Sequence, residues 1–323
     1  MQNSHWDYAF NVLGGRMNGY LIRFCGSAVL LGLLAGPALA ADTPAPSSFP
    51  SLWFSLEAVA LAREEEASFP VTAGDDNLTS DALDPQRSDG FEARFAIAQG
   101  AFGISARYLD ASASESARET DIDTIFTVPT VIIAGAVPAD FSNLSDLRSF
   151  ELNFFWQAHA RTRLFAGYRS IDIDETFSGT VGAGLATLAV DLDNRLDGAQ
   201  IGLETRLAGP TAGPGFFLDV GGNAGLYQLK RSLTGTTAGI GGALPSFGGS
   251  DSGVAMAAEV EARLGYALTD MMSVHVGYRL LYVDDIATAL GNLQSFNITT
   301  GAGSIAGSEL IYHGVSAGAA LKF

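Results

Sequence analysis

From residue 51 onward, hydrophobic residues recur at every second position rather than every third or fourth. That period places apolar side chains on one face of an extended strand and polar side chains on the other. Ten segments carry it: Leu52–Leu61, Phe91–Ala98, Phe102–Tyr108, Ser149–Gln157, Arg163–Ile173, Asn194–Leu207, Gly215–Tyr227, Gly253–Tyr266, Met272–Val283 and Leu310–Phe323. In the fourth, Phe150, Leu152, Phe154 and Trp156 alternate with Glu151, Asn153 and Gln157. In the ninth, Val274, Val276 and Tyr278 alternate with Ser273, His275, Gly277 and Arg279.

The connectors order these strands. Short ones ("QGA" near 100, "AHA" near 159, "AGPTAGP" at 208–214, "LTD" at 268–270) alternate with long ones at about 62–90, 110–148, 174–193, 228–252 and 284–309. Strict alternation collects every long loop at one end of a sheet, as in barrels with short periplasmic turns and long extracellular loops. The predicted fold is therefore all-β: a transmembrane antiparallel up-and-down β-barrel of about ten strands. Twelve is the alternative if "DIDTIFTVPTVIIAGAV" (120–136) forms a further hairpin, with Pro129 weighing against it. An even number lets first and last strands close antiparallel and removes edges that hydrocarbon would not tolerate.

Composition agrees. Charged residues are 16 % and mean hydropathy is +0.21, yet after residue 40 no run approaches the ~18 apolar residues of a spanning helix. The exception precedes it. Residues 17–40, "MNGYLIRFCGSAVLLGLLAGPALA", join Arg23, a short apolar core and the A-x-A signal Ala38-Leu39-Ala40. This is a secretory signal pattern with cleavage expected between Ala40 and Ala41. Met17 is a candidate start. The expected organisation is an extension and signal at 1–40, a Pro/Ser-rich periplasmic leader at 41–50, and a barrel at 51–323. Cys25, the single cysteine, falls in the signal, which leaves no disulfide framework or thiol chemistry after cleavage.

The net charge of −17 argues against a nucleic-acid partner. By parity, the candidates to line the lumen are Glu57, Glu92, Arg94, Arg107, Glu151, Arg169, Glu204, Arg206, Asp219, Glu259, Glu261, Arg263 and Arg279. Two readings follow: acid–arginine pairs bracing the interior of a narrow barrel, or charges lining a constriction that selects ions. Inward glycines (Gly167, Gly202, Gly221, Gly225, Gly265, Gly277, Gly318) leave space, which suits the second, but glycine also permits tight coiling of the sheet, so both readings stay open. Of the histidines, only His313 lies at the level of the long loops, and no neighbouring phrase marks a nucleophile, so no catalytic residue is expected. "DLDNRLD" (191–197) departs from a calcium loop at Arg195 and lacks its glycine, so no metal site and no cofactor are expected, although acidic loops suit loose divalent binding. Outward Trp156, Tyr168, Phe216, Tyr266, Tyr278 and Phe323 suit an interfacial girdle.

The phrases "FELNFFWQ" (150–157), "RLFAGYRSIDIDETF" (163–177), "NRLDGAQIGLETRL" (194–207), "LDVGGNAGLYQ" (218–228) and "VHVGYRLLYVDDIATA" (274–289) resemble bacterial pore-forming outer-membrane barrels. The type cases are the Legionella-type major outer-membrane protein and the planctomycete-type barrel porins. The resemblance implies an outer-membrane channel passing small hydrophilic solutes or ions, with no catalytic residues. Acidic loops suggest cation preference. The alternative is a closed structural or adhesive barrel working through its loops; a barrel-embedded hydrolase is a distant third. The expected partners are outer-membrane lipid and lipopolysaccharide, small solutes, and the assembly machinery that would read terminal Phe323.

Overall fold

The computed structural model describes residues 51–65, 71–74, 78–79, 82–125, 131–182, 184–210, 212–239, 242–243, 246–297 and 300–323. The expected signal, its Ala40/Ala41 cleavage site and the 41–50 leader lie outside them. The described residues form one antiparallel sheet in chain order: β1 (Ser51–Glu65), β2 (Thr72–Gly74), β3 (Arg87–Gln99), β4 (Phe102–Ile125), β5 (Val131–His159), β6 (Thr162–Val181), β7 (Ala186–Ala208), β8 (Gly215–Gly239), β9 (Gly242–Ala243), β10 (Phe247–Ala267), β11 (Met272–Ile286) and β12 (Ser308–Lys322). The pieces β2 and β9 only extend the free ends of β4 and β8. The other ten strands pair with their neighbours around the wall, and β1 meets β12 from Trp53↔Lys322 to Glu65↔Leu310. The result is a closed ten-stranded barrel. Residues 120–136 are no extra hairpin: their described part is the end of β4 and the start of β5.

Lipid exposure explains the outward face. Phe54, Leu56, Phe95, Ile97, Ile104, Leu152, Phe154, Ile201, Leu226, Leu264, Val276 and Val315 form a continuous exposed apolar belt. Near the short turns it ends in Phe102, Trp156, Phe216, Tyr266 and Phe323. At its other edge, Tyr108 donates its hydroxyl to Asp110 at 2.9 Å, Tyr168 to Asp197 at 2.5 Å, and Tyr278 pairs with His313 Nδ1 at 2.8 Å. Rings in the apolar layer with polar tips turned to the rim are the girdle of an outer-membrane barrel. The protein is a transmembrane barrel of the cell outer membrane. Among the described residues no helix is long and apolar enough to cross; strands do it, with every ladder hydrogen bond internal to the sheet.

Much of what reads as long loop is wall. The expected loops at 110–148, 174–193 and 228–252 lie largely within β4, β5, β6, β7, β8 and β10. The alternation continues through them, but its phase inverts at the membrane edge. On β7, the outward positions run Ile201, Ala199, Asp197, Arg195, Asp193, while the inward ones change from Gln200 to Leu196 and Leu192. On β8, outward Leu226 gives way to Gln228, Lys230 and Ser232 as inward Tyr227, Leu229 and Leu233 begin. Within the bilayer the apolar face meets lipid; above it, the apolar face must turn into the bore.

Two of the inward glycines, Gly202 and Gly265, do not leave space, and neither do Gly103 and Gly235. Phe155, Phe165, Phe217 and Phe247 lie over Gly103, Gly202, Gly265 and Gly235, their direct cross-strand partners. A Cβ at these glycines would fall 2.3, 2.3, 2.2 and 2.0 Å from the facing ring. Each ring fills the place of the missing side chain.

Candidate functional site

The bore is the place to look for a site, and three layers fill it. The first lies within the membrane-spanning segments. Glu57, Glu92, Glu151, Glu259 and Glu261 meet Arg94, Arg107, Arg169, Arg263 and Arg279 there, five acids against five arginines. Arg94 contacts Glu92 and reaches Glu261 at 2.6 Å. Arg107 bridges Glu151 at 2.6 Å and Glu259 at 2.5 Å. Arg169, with no exposed surface, lies 3.2 Å from Glu151 and 2.9 Å from Glu259, and donates to Ser149 and Asn223. Arg279 joins Glu92 and sits 3.0 Å from Glu259; Arg263 sits 2.7 Å from Glu261. His275 Nε2 lies 3.1 Å from Glu57, and Gln200 and Asn153 donate to Glu151. A buried ion is tolerated only when its partners replace lost hydration. Here each charge faces two or more opposite charges, around a small cavity of about 40 Å³ bounded by Arg94, Arg107, Glu151 and Glu259.

Above it comes an apolar layer: Val59, Leu61, Leu109, Leu147, Ile171, Ile173, Leu196, Tyr227, Leu229, Leu281, Val283 and Tyr312 are buried together. These are the inward residues just past the phase inversion.

The third layer plugs the mouth. Near its end β11 bulges at Asp285, whose φ is 59°, and the chain leaves the wall after Ile286. The segment after it carries a single helical turn, Ala289–Asn292, capped by the Thr288 hydroxyl on Gly291 N–H. Leu290, Leu293 and Phe296 pack with Val71, Leu78, Leu83, Phe141, Phe177, Val190, Leu233 and Phe247. Wall side chains hold the segment. Asn194 donates to Ala287 O at 2.9 Å and accepts from Ala287 N–H at 3.0 Å. Glu175 accepts from Ala289 N–H at 2.7 Å and pairs with Arg63 at 2.5 Å, and Arg63 reaches Asp84 at 3.2 Å. Arg231 ties Asp251 at 2.5 Å and Asp285 at 2.8 Å. None of Arg63, Glu175, Asn194 or Arg231 is among the lumen candidates that parity picks out along the ten segments. Their signal is a polar residue at an inward position of an apolar run, as Asn194 is between Leu192 and Leu196.

The lumen candidates chosen by parity thus divide. Glu57, Arg94, Arg107, Glu151, Arg169, Glu259, Glu261, Arg263 and Arg279 meet in the ion-pair layer, together with Glu92. Glu204, Arg206 and Asp219 lie below it, towards the short turns: Glu204 pairs with Arg163, and Arg206 holds Asp219 at 2.7 and 2.9 Å. They face inward and line the hollow end of the bore near the short turns. His313 faces outward, 3.3 Å from Glu64 as well as bonded to Tyr278, and His159 ends β5 beside a short turn. Among the described residues no group of three or more His, Cys, Asp or Glu side chains is arranged to hold a metal ion.

No protein-family model matches the chain, and no curated protein matches it. Solved structures that it resembles are outer-membrane barrels. The outer-membrane protease OmpT of Escherichia coli superposes with a TM-score of 0.49 at 10 % identity, covering 89 % of this chain and 99 % of OmpT. The toluene transporter TodX of P. putida gives 0.31 at 9 %, covering 85 % and 90 %. The attachment invasion protein Ail of Yersinia pestis, crystallised with a heparin analogue, gives 0.26 at 9 %, covering 85 % and 99 %.

Proposed function

We propose that the protein is a closed outer-membrane barrel that works at its extracellular surface rather than by passing solutes. One observation carries this reading. The bore is filled in succession by a charge-balanced ion-pair layer, an apolar layer and an inserted segment with an apolar core. A conducting pore needs a wetted path, and apolar constrictions dewet. The outward faces above the belt are, by contrast, densely charged: Asp110, Arg148, Asp172, Asp174, Asp193, Arg195 and Asp197 stand on adjacent strands. They make the extension a soluble, mostly acidic surface standing off the membrane. Structural or adhesive contact is the function this geometry supports best, with Phe323 the proposed mark for assembly.

The cation-preferring channel is the second reading. The inserted segment favours it, because it is held at a few side chains; but its departure would leave the ion-pair layer in place. Planar-bilayer recording on protein refolded from detergent tests the choice. No unitary conductance steps are expected at either polarity. Steady ohmic steps from heat-modifiable, folded protein would overturn the closed reading, and their reversal potential in a salt gradient would then measure ion preference.

A further inference from the structure

The end of the barrel at the short turns is hollow. Two chambers open there, of about 310 Å³ at the mouth and about 230 Å³ further in. They share the walls made by Trp53, Gln157, Arg163 and Arg206. The inner chamber meets the ion-pair layer at Arg94 and Glu261, and a smaller cavity of about 40 Å³ continues from there among Arg107, Glu151 and Glu259. It is a blind pocket facing the periplasmic side.

Its charge is opposite to that of the molecule. Five guanidinium groups line the inner chamber against three carboxylates, in a chain of net charge −17. Two of the arginines are held stiffly. Arg163 lies over the Phe155 ring at 5.3 Å and bonds Glu204; Arg206 lies over Phe217 at 4.3 Å and bonds Asp219 twice. Arg263 binds Glu261 through Nε, while its Nη2 has no hydrogen-bond partner. Arg161 stands at the β5–β6 turn with an exposed side chain that no carboxylate of the pocket engages. Trp53 supplies an apolar part of the wall in both chambers. Fixed guanidinium groups present paired donors to carboxylate or phosphate, and a low-dielectric concave wall concentrates their field.

We infer that this vestibule is a binding site for a small organic anion: a phosphate or carboxylate group held by Arg161 and Arg263, with an apolar or ring body against Trp53. The site does not depend on the extracellular reading, because it opens at the opposite end of the bore. The chain has three tryptophans, so replacing Trp6 and Trp156 by Phe leaves Trp53 as the sole emitter. The probe is phenyl phosphate, titrated into the folded full-length protein in detergent.

Saturable quenching of Trp53 is expected, displaced by inorganic phosphate if the anionic group is what binds, and weakened at high salt. Arg161→Ala should raise the half-saturation concentration about tenfold, the equivalent of one lost charge-assisted contact. Arg161 is exposed on a turn, so that variant should keep the heat-dependent gel mobility of a folded barrel; Arg263→Gln serves as the second variant. Absence of saturation in protein shown to be folded, equal affinity with and without Arg161, or equal quenching by phenyltrimethylammonium would each overturn the assignment. The first outcome is independent of conductance, so failure here leaves the closed-bore reading standing.

Discussion

Arg169→Met is the sharpest probe of how the bore is closed. Arg169 has no exposed surface and faces Glu151 and Glu259 at 3.2 and 2.9 Å. Methionine keeps most of the volume and removes the charge, leaving five buried acids against four arginines. Glu151 retains Arg107, and Glu259 retains Arg107 and Arg279, but one negative charge is uncompensated. Breaking a buried pair from one side costs about 3–5 kcal/mol. Restoring neutrality with Glu151→Gln in the same chain should recover about half of that. The double variant should therefore be less destabilised than the two single variants summed, with a coupling of about 2 kcal/mol. Urea unfolding in lipid vesicles, followed by tryptophan emission and gel mobility, measures all four corners of the cycle. Single-variant losses under about 0.5 kcal/mol, or strict additivity, would show that the charges are hydrated and that the layer does not seal the bore.

Three further outcomes are expected. Asn194→Ala leaves Ala287 N–H and C=O without their side-chain partner; at about 1–3 kcal/mol per buried unsatisfied group, the segment 287–307 should become the first site of limited proteolysis and lose hydrogen-exchange protection while the wall keeps its own. Gly202→Ala places a methyl 2.3 Å from the Phe165 ring; overpacking of this kind costs about 1–3 kcal/mol, and Phe165→Leu in the same chain should return part of it in a thermal gel-shift series. Asp193 stands on the extracellular extension, where partial burial and then the neighbouring Asp174 and Asp191 raise its pKa. The native state holds that proton more tightly than the unfolded chain does, so the carboxylate opposes folding above this range and not below the unfolded value of about 3.9. Asp193→Asn should raise the unfolding midpoint at pH 7 and lose the advantage as pH falls below about 4, as a pH series of melting curves would show.

The membrane-crossing part of the wall was legible because period two with apolar residues outward is a strong signal there. The turns, the strand pairing order and the closing strand all follow from it. The extension was not, because the same strands exchange their apolar face at Tyr168, Ala199 and Tyr227. Tracking one apolar phase alone makes the exchange look like the end of a strand. Within the bore, parity assigned Arg169 and Glu259 to the inside but could not say whether they meet across it. That depends on the circumference and on the stagger of distant strands, as in the contact of Arg107 with Glu259. The glycines misled for a related reason. The ring that fills Gly202 comes from Phe165 on the neighbouring strand, a partner that only the register identifies. Nor does anything local to residues 287–297 announce that they fold inward; the clamp that takes them in is Asn194, on β7.

The seam between β1 and β12 also bears on time. Every hydrogen bond that β1 makes on that side waits for β12, which is synthesised after all the other described strands. Until β12 arrives, β1 and β11 each present an unpaired edge, which hydrocarbon would penalise at every residue. Few contacts in the chain join residues further apart in sequence, and such contacts are slow to form. The order of events is thereby constrained: a partly made barrel has no comfortable resting state in the bilayer, and commitment to the membrane and closure of the wall must fall close together.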